Sequence, residues 1–140
     1  MRIWYNKAMR KITLKWLKQA EADLQAAWDS YRARHYEWSC FQAQQSGEKA
    51  LKAYLYEKGY TSVMTHLLKE LVRECLKFNE AFQAIAQDAR YLDMFYIPTR
   101  YPNGLSGELA PSEFYEEEDA KKCLSSAESI LQTVKSLLEK

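Results

Sequence analysis

Histidine, proline, glycine and cysteine are all scarce in this chain of 140 residues, and each scarcity excludes something. The two histidines, His35 and His66, have no second His, Cys or carboxylate at the spacing of a zinc motif, so no metal site is expected. The Glu-x-x-His pairs of di-iron bundles are also missing, because Arg32 and Val63 stand three residues before the histidines. With four glycines there is no glycine-rich phosphate loop, and neither a Gly-x-Ser-x-Gly elbow nor a Cys-x-x-Cys occurs, so no cofactor is expected. Cys40, Cys75 and Cys123 are odd in number and flanked by apolar helical residues, the pattern of reduced core thiols in a cytoplasmic protein. No run of about 18 apolar residues exists and the basic N-terminus lacks the apolar centre of a signal peptide, so neither a membrane span nor export is expected.

Net charge is also lacking: 20 Lys and Arg balance 19 Asp and Glu to leave +1, which marks no general nucleic-acid or membrane binder. The distribution is uneven, however. Arg2, Lys7, Arg10, Lys11, Lys15 and Lys18 precede the first acid, which suggests a basic arm at about 1–12, while Glu113, Glu116, Glu117, Glu118 and Asp119 cluster late.

What the chain does have is helical periodicity. Leu17, Ala20, Leu24, Ala27 and Tyr31, widened by Leu14, Ala22 and Trp28, make the face of a long first helix. A second spans about 37–58 and stops at Gly59, and Gly47 inside it predicts close approach of another backbone. A short third helix, capped by Thr65 or Ser62, buries Leu67, Leu68, Leu71, Val72, Cys75 and Leu76. Asn79 caps a fourth that turns Phe82, Ile85, Ala86, Ala89 and Leu92 inward and runs until Pro98 ends it. All three prolines fall in 97–111 beside Gly104 and Gly107, a loop of the length that is usually functional or disordered. Ser112 then opens the last helix, with Ala120, Leu124, Ala127, Leu131, Val134 and Leu138 as its stripe. No alternating pattern long enough for a sheet appears. The expected fold is a single all-α domain over 1–140, an up-and-down bundle of about five helices.

Two segments stand out against this plain pattern. FQAQQSGEKALKAYL at 41–55 places Gln44, Gln45 and Glu48 on or beside the apolar stripe of Phe41, Leu51 and Leu55. Burying such groups without partners costs on the order of 2–7 kcal/mol, so they must be satisfied internally or by something bound. The second segment, YIPTRYP at 96–102, holds Thr99, Arg100 and Tyr101 between two prolines. An Arg fork can pair with phosphate while a Tyr ring stacks a base, or Arg100 can simply close the preceding helix through its carbonyls. Glu48 and Lys49 can equally form an ordinary ion pair, and His66, at a helix start, can cap it or act as acid or base. Ten tyrosines and four tryptophans exceed what a small bundle readily hides, which points to a homodimer.

The order and spacing of AEADLQAA at 20–27, FQAQQSGEKALKAYL, HLLKEL after Thr65, LDMFYIPTRYP and FYEEEDAKKCLSSAESI resemble the HEPN domain family over nearly the whole chain. The resemblance implies a helical bundle, commonly a homodimer with a cleft between subunits, and frequent pairing with a separate minimal nucleotidyltransferase as toxin and antitoxin. Many members of that family are metal-independent ribonucleases whose Arg and His are four to six residues apart. Arg100 would be that Arg, but the matching positions hold Leu105, Ser106 and Gly107. The expectation is therefore a binding module for a nucleotide or RNA through Thr99, Arg100, Tyr101 and Lys49, and for a nucleotidyltransferase partner. One alternative is an endoribonuclease with an altered site, in which Arg100 stabilises the transition state and His66 or Glu48 serves as base. The other is a purely structural interaction protein.

Overall fold

The computed structural model describes residues 9–139. Six α-helices follow one another: α1 (Lys11–Arg32), α2 (Tyr36–Glu57), α3 (Leu68–Leu76), α4 (Ala86–Asp93), α5 (Pro111–Phe114) and α6 (Glu117–Leu138), with no strand among the described residues. The helix α2 lies at the centre and packs against all five others. Its buried face is built for that position, because Ala43, Ser46, Gly47, Ala50 and Ala53 are small and admit neighbours on several sides.

Helices α1 and α2 form an antiparallel hairpin. Arg34, at φ 67°, makes the left-handed turn between them, and the His35 amide closes it on the Ser30 carbonyl at 2.8 Å. Along the seam the Ser39 hydroxyl donates to the Ala27 carbonyl, Ser46 to Ala20, and Arg10 Nη1 to Tyr56, a descending register that ties the helices together. Arg10 also donates its amide to Glu57, and Met9 is buried. The last residues of the expected arm are thus held against the end of α2, and Lys11 and Ile12 already belong to α1; positions 1–8 lie outside the described residues.

Gly47 is a packing glycine, but what approaches it is not backbone. A Cβ there would meet Leu68 Cδ2 at 2.8 Å, Leu92 Cδ1 at 3.1 Å and Ile130 Cδ1 at 3.4 Å, so three helices converge on it. Neither Ser62 nor Thr65 caps α3. Asp93 does so from the end of α4, accepting from the Leu68 amide at 2.6 Å and the Lys69 amide at 3.0 Å, and burial pushes its carboxyl above the ordinary carboxylate value against the pull of those two bonds.

Asn79 caps the fourth segment as expected, its side chain accepting from the Ala81 amide at 2.8 Å. That segment opens as a 3-10 turn, Glu80–Ile85, and α4 ends at Asp93, five residues before Pro98. Residues 94–100 continue as tight turns that send the Phe95 side chain into the core, and Tyr101 is extended. The last helix starts at Glu117 rather than Ser112. The Glu113 side chain accepts from the Ala110 amide and confines α5 to one turn, after which Tyr115 is extended and buried against Phe95. The Asp119 side chain then accepts from the Glu116 amide at 2.8 Å, and the acids of the first turn of α6 favour its positive end.

Cys40, Cys75 and Cys123 are free and fully buried, and burial raises the thiols of Cys75 and Cys123 well above the ordinary cysteine value. Among the described residues no helix is long and apolar enough to cross a membrane.

Candidate functional site

Successive turns of α2 carry Phe41, Gln44, Glu48 and Lys52 along one side, because positions three and four apart share a helical face. Gln44, Glu48 and Lys52 are buried, so the question of their partners is answered internally. Lys52 Nζ donates to Glu48 Oε2 at 2.9 Å. Gln44 and Gln45 each approach Glu48 Oε1 at 3.4 Å, and Gln45 donates to the Gln44 oxygen at 2.8 Å. Gln44 also reaches the His66 carbonyl at 3.4 Å.

The same carboxylate takes a partner from the connector between α2 and α3. A carboxylate paired with lysine only accepts, so His66 Nδ1–H donates to Glu48 Oε2 at 3.2 Å. That bond fixes the ring orientation and leaves Nε2 for other contacts. His66 is half exposed whereas Glu48 is closed off, so the network is buried at the Lys52 end and open at the imidazole.

The turns after α4 supply the rest. Tyr96 stacks on His66 with ring centroids 5.2 Å apart and planes 16° from parallel. Arg100 places its guanidinium carbon 4.5 Å from the ring centres of Phe41 and Tyr96 and 5.0 Å from that of Tyr101. It donates Nε to the Tyr96 carbonyl at 2.9 Å, and its terminal nitrogens make no hydrogen bond or ion pair among the described residues. Tyr101 is 52% exposed at the edge of this aromatic cradle. The result is a continuous row from Tyr101 through Arg100, Tyr96 and His66 to Glu48 and Lys52.

The row joins Arg100, Tyr101, His66 and Glu48 and leaves out two other residues singled out in the sequence. Thr99 is buried and its hydroxyl donates to the Phe95 carbonyl at 2.6 Å, which secures the turn beneath Arg100. Lys49 points to α1 and pairs with Asp23 at 2.6 Å. Tyr96, Phe41 and Lys52 belong to the row although nothing in the sequence singled them out as site residues. The four-residue steps from Tyr96 to Arg100 and from Glu48 to Lys52 carried a local signal for two of them. Chemically the row offers a cation with two free terminal nitrogens, an exposed ring for stacking, and an oriented imidazole, which together suit a phosphate and an adjoining base.

Comparison with known proteins bears on the family of the chain. The model of the HEPN domain matches residues 13–137. A relative from Methanocaldococcus jannaschii named "Putative toxin MJ1304" is 31% identical over 131 aligned positions, covering 88% of this chain and 86% of the relative. The crystal structure of TT1696 from Thermus thermophilus superposes with a TM-score of 0.85 at 30% identity, over 91% of this chain and 98% of that one. That of ST0689, described as an archaeal HEPN homologue, gives 0.75 at 38% identity, over 92% and 99%. This all-helical chain belongs to the HEPN domain family.

Proposed function

We propose that this HEPN protein is a toxin-antitoxin-type component of the cytoplasm that binds a nucleotide or RNA at the row centred on Arg100. One observation carries the reading: Arg100 is held over three aromatic rings by a single backbone bond while its terminal nitrogens stay free. A guanidinium so fixed loses little entropy when it grips a phosphate. The name of the M. jannaschii relative supports the toxin side of the proposal. Calorimetric titration with mononucleotides and short RNA tests it. Arg100→Ala should lose roughly 1.5–3 kcal/mol of binding free energy, the worth of hydrogen bonds to a charged group, and Arg100→Lys should recover only part. Equal affinities for parent and both variants would reduce Arg100 to a structural residue.

A second reading, metal-independent RNA cleavage, is favoured by the bond from His66 Nδ1 to Glu48. It stands in spite of the missing Arg-to-His spacing, because the fold brings His66 to the row from a different segment. Glu48 itself is too enclosed to act as base, so its role in this reading is to orient the imidazole. RNA cleavage without added metal that is lost in His66→Gln and in Arg100→Ala would select it.

The proposal includes a homodimer and a minimal nucleotidyltransferase as partner. Exposed Trp38, Met94, Ile97, Tyr101, Leu109 and Phe114 support an association surface. Light scattering coupled to size exclusion at micromolar concentration should give twice the chain mass, and a monomer there would remove the homodimer from the proposal.

A further inference from the structure

The groove between α3 and α4 contains a second concentration of positive charge. Two adjoining hollows, about 170 and 380 Å³, share Lys69, Arg73 and Arg90 in their walls. Among the described residues none of these three side chains forms an ion pair or a hydrogen bond, in contrast to Lys49 and Lys52 on α2. Lys69 and Arg73 are one turn apart on α3, where like charges repel, and Arg90 adds a third cation from α4. Of the nearby acids only Asp93 lines the larger hollow, and each has hydrogen-bond partners of its own. Both Asp93 oxygens are taken by the amides at the start of α3, Glu70 is bonded to Thr65, Glu74 to Tyr60 and Lys77, and Asp88 to Ser126.

We infer that this groove is a phosphate-binding subsite for the backbone of a single RNA strand that continues from the Arg100 row. The inference rests on the reading of that row as an RNA or nucleotide site. Continuity supplies the link, because Leu67, which lines the larger hollow, directly follows His66. Geometry supplies the fit: Lys69 and Arg73 are spaced about 6 Å along the helix axis, close to the separation of successive phosphates in an extended strand. Arginine forks pair with phosphate and carboxylate alike, so it is the continuity with the Arg100 row that favours an RNA strand over an acidic protein partner. The ligand class is therefore an RNA of several nucleotides, not a lone mononucleotide.

Uridine oligonucleotides of increasing length, from the mononucleotide to about ten nucleotides, test this against the parent, Arg100→Ala and the double variant Arg73→Ala/Arg90→Ala. Both groove arginines are exposed, so the double variant should fold, which circular dichroism and its melting curve will verify. For the parent, affinity should rise with length. The double variant should match it on the mononucleotide and fall on the order of tenfold per arginine on the longest strand. Its salt slope should be shallower by about 0.7 for each phosphate that it no longer neutralises. Arg100→Ala should weaken every length. A double variant that binds the long strand as the parent does overturns the groove while leaving the row intact. Long-strand binding that Arg100→Ala leaves unchanged but the double variant loses removes the row, and with it the continuation of the strand from the row, and so overturns the inference in this form. Displacement of the RNA by polyglutamate at matched charge overturns the inference in favour of an acidic protein partner.

Discussion

Glu48 and Lys49 are adjacent on α2, yet they serve two networks of opposite design. Lys49 turns to α1, where Asp23 answers it in a closed pair, with side-chain exposures of 23% and 16%. Glu48 turns to the other side, where Lys52 holds one end and the half-exposed His66 leaves the other end open. The closed pair ties two helices. The open one has an imidazole nitrogen and, through Tyr96, a guanidinium available to something outside the chain. An ion pair that satisfies itself speaks for packing, whereas one that ends at a solvent-facing titratable ring speaks for a site.

The largest effect that separates the two should follow from Glu48→Ala. It leaves the Lys52 ammonium buried without its carboxylate, which typically costs about 3–5 kcal/mol. A fall in Tm of roughly 10–15 °C is expected for a domain of this size. Lys49→Ala breaks a more accessible pair and should cost about 1 kcal/mol. The comparison sharpens with Glu48→Leu/Lys52→Met, in which both buried charges go together. That double variant should regain most of the loss measured for Glu48→Ala, because apolar replacement of a whole buried pair is often neutral. Similar thermal melts for Glu48→Ala and Lys49→Ala would mean that the two networks do not differ as described.

The same contrast explains how much of the molecule the sequence discloses. Helical periodicity marks the long elements well: it predicts the second helix over about 37–58, and that helix is Tyr36–Glu57, while Asn79 caps where its side chain suggests. The misplaced ends, at α3, α4 and α6, are those fixed by long-range contacts. Asp93 caps α3 from 25 positions away, and burial of Phe95 and Tyr115 breaks the chain where local propensity would continue it. For the candidate site, the polar stripe of α2 signalled that Glu48 needed partners, but periodicity cannot say which side chain arrives from another segment. His66 and Tyr96 meet Glu48 and Arg100 only because the connector after α2 and the turns after α4 reach the same end of the bundle. Lys49 and Thr99 show the converse, since residues of suitable type at suitable positions are consumed by Asp23 and by the Phe95 carbonyl.

A third pair, smaller in effect, tests whether the connector that carries His66 is itself tied down. The Tyr60 hydroxyl donates to Glu74 Oε1 at 2.7 Å, linking the start of the connector to α3. Its phenol is pushed up to about 12, first by that hydrogen bond, then by burial, then by the charge of Glu74. The Glu74 carboxyl is held below its ordinary value of 4.5, first by the same bond and then by Lys77. The signs follow from linkage. A phenol raised in the folded state stabilises fully below its ordinary 10.0 and loses that contribution as pH rises through about 12. A carboxyl depressed in the folded state stabilises fully above 4.5 and loses its contribution as pH falls through the lower folded value. The stability difference between the parent and Tyr60→Phe should therefore stay level across neutral pH and shrink between 10.0 and about 12. Denaturant midpoints of both proteins through that alkaline window, with the phenolate absorbance followed in parallel, provide the measurement. The pair is only partly buried, so the gap will be small, but its pH dependence is diagnostic. A gap that is unchanged through the window, together with a phenol titrating at 10.0, would mean that Tyr60 does not hold Glu74 and that the connector is held by its other contacts, those of His66 with Glu48 and Gln44 and of Thr65 with Glu70.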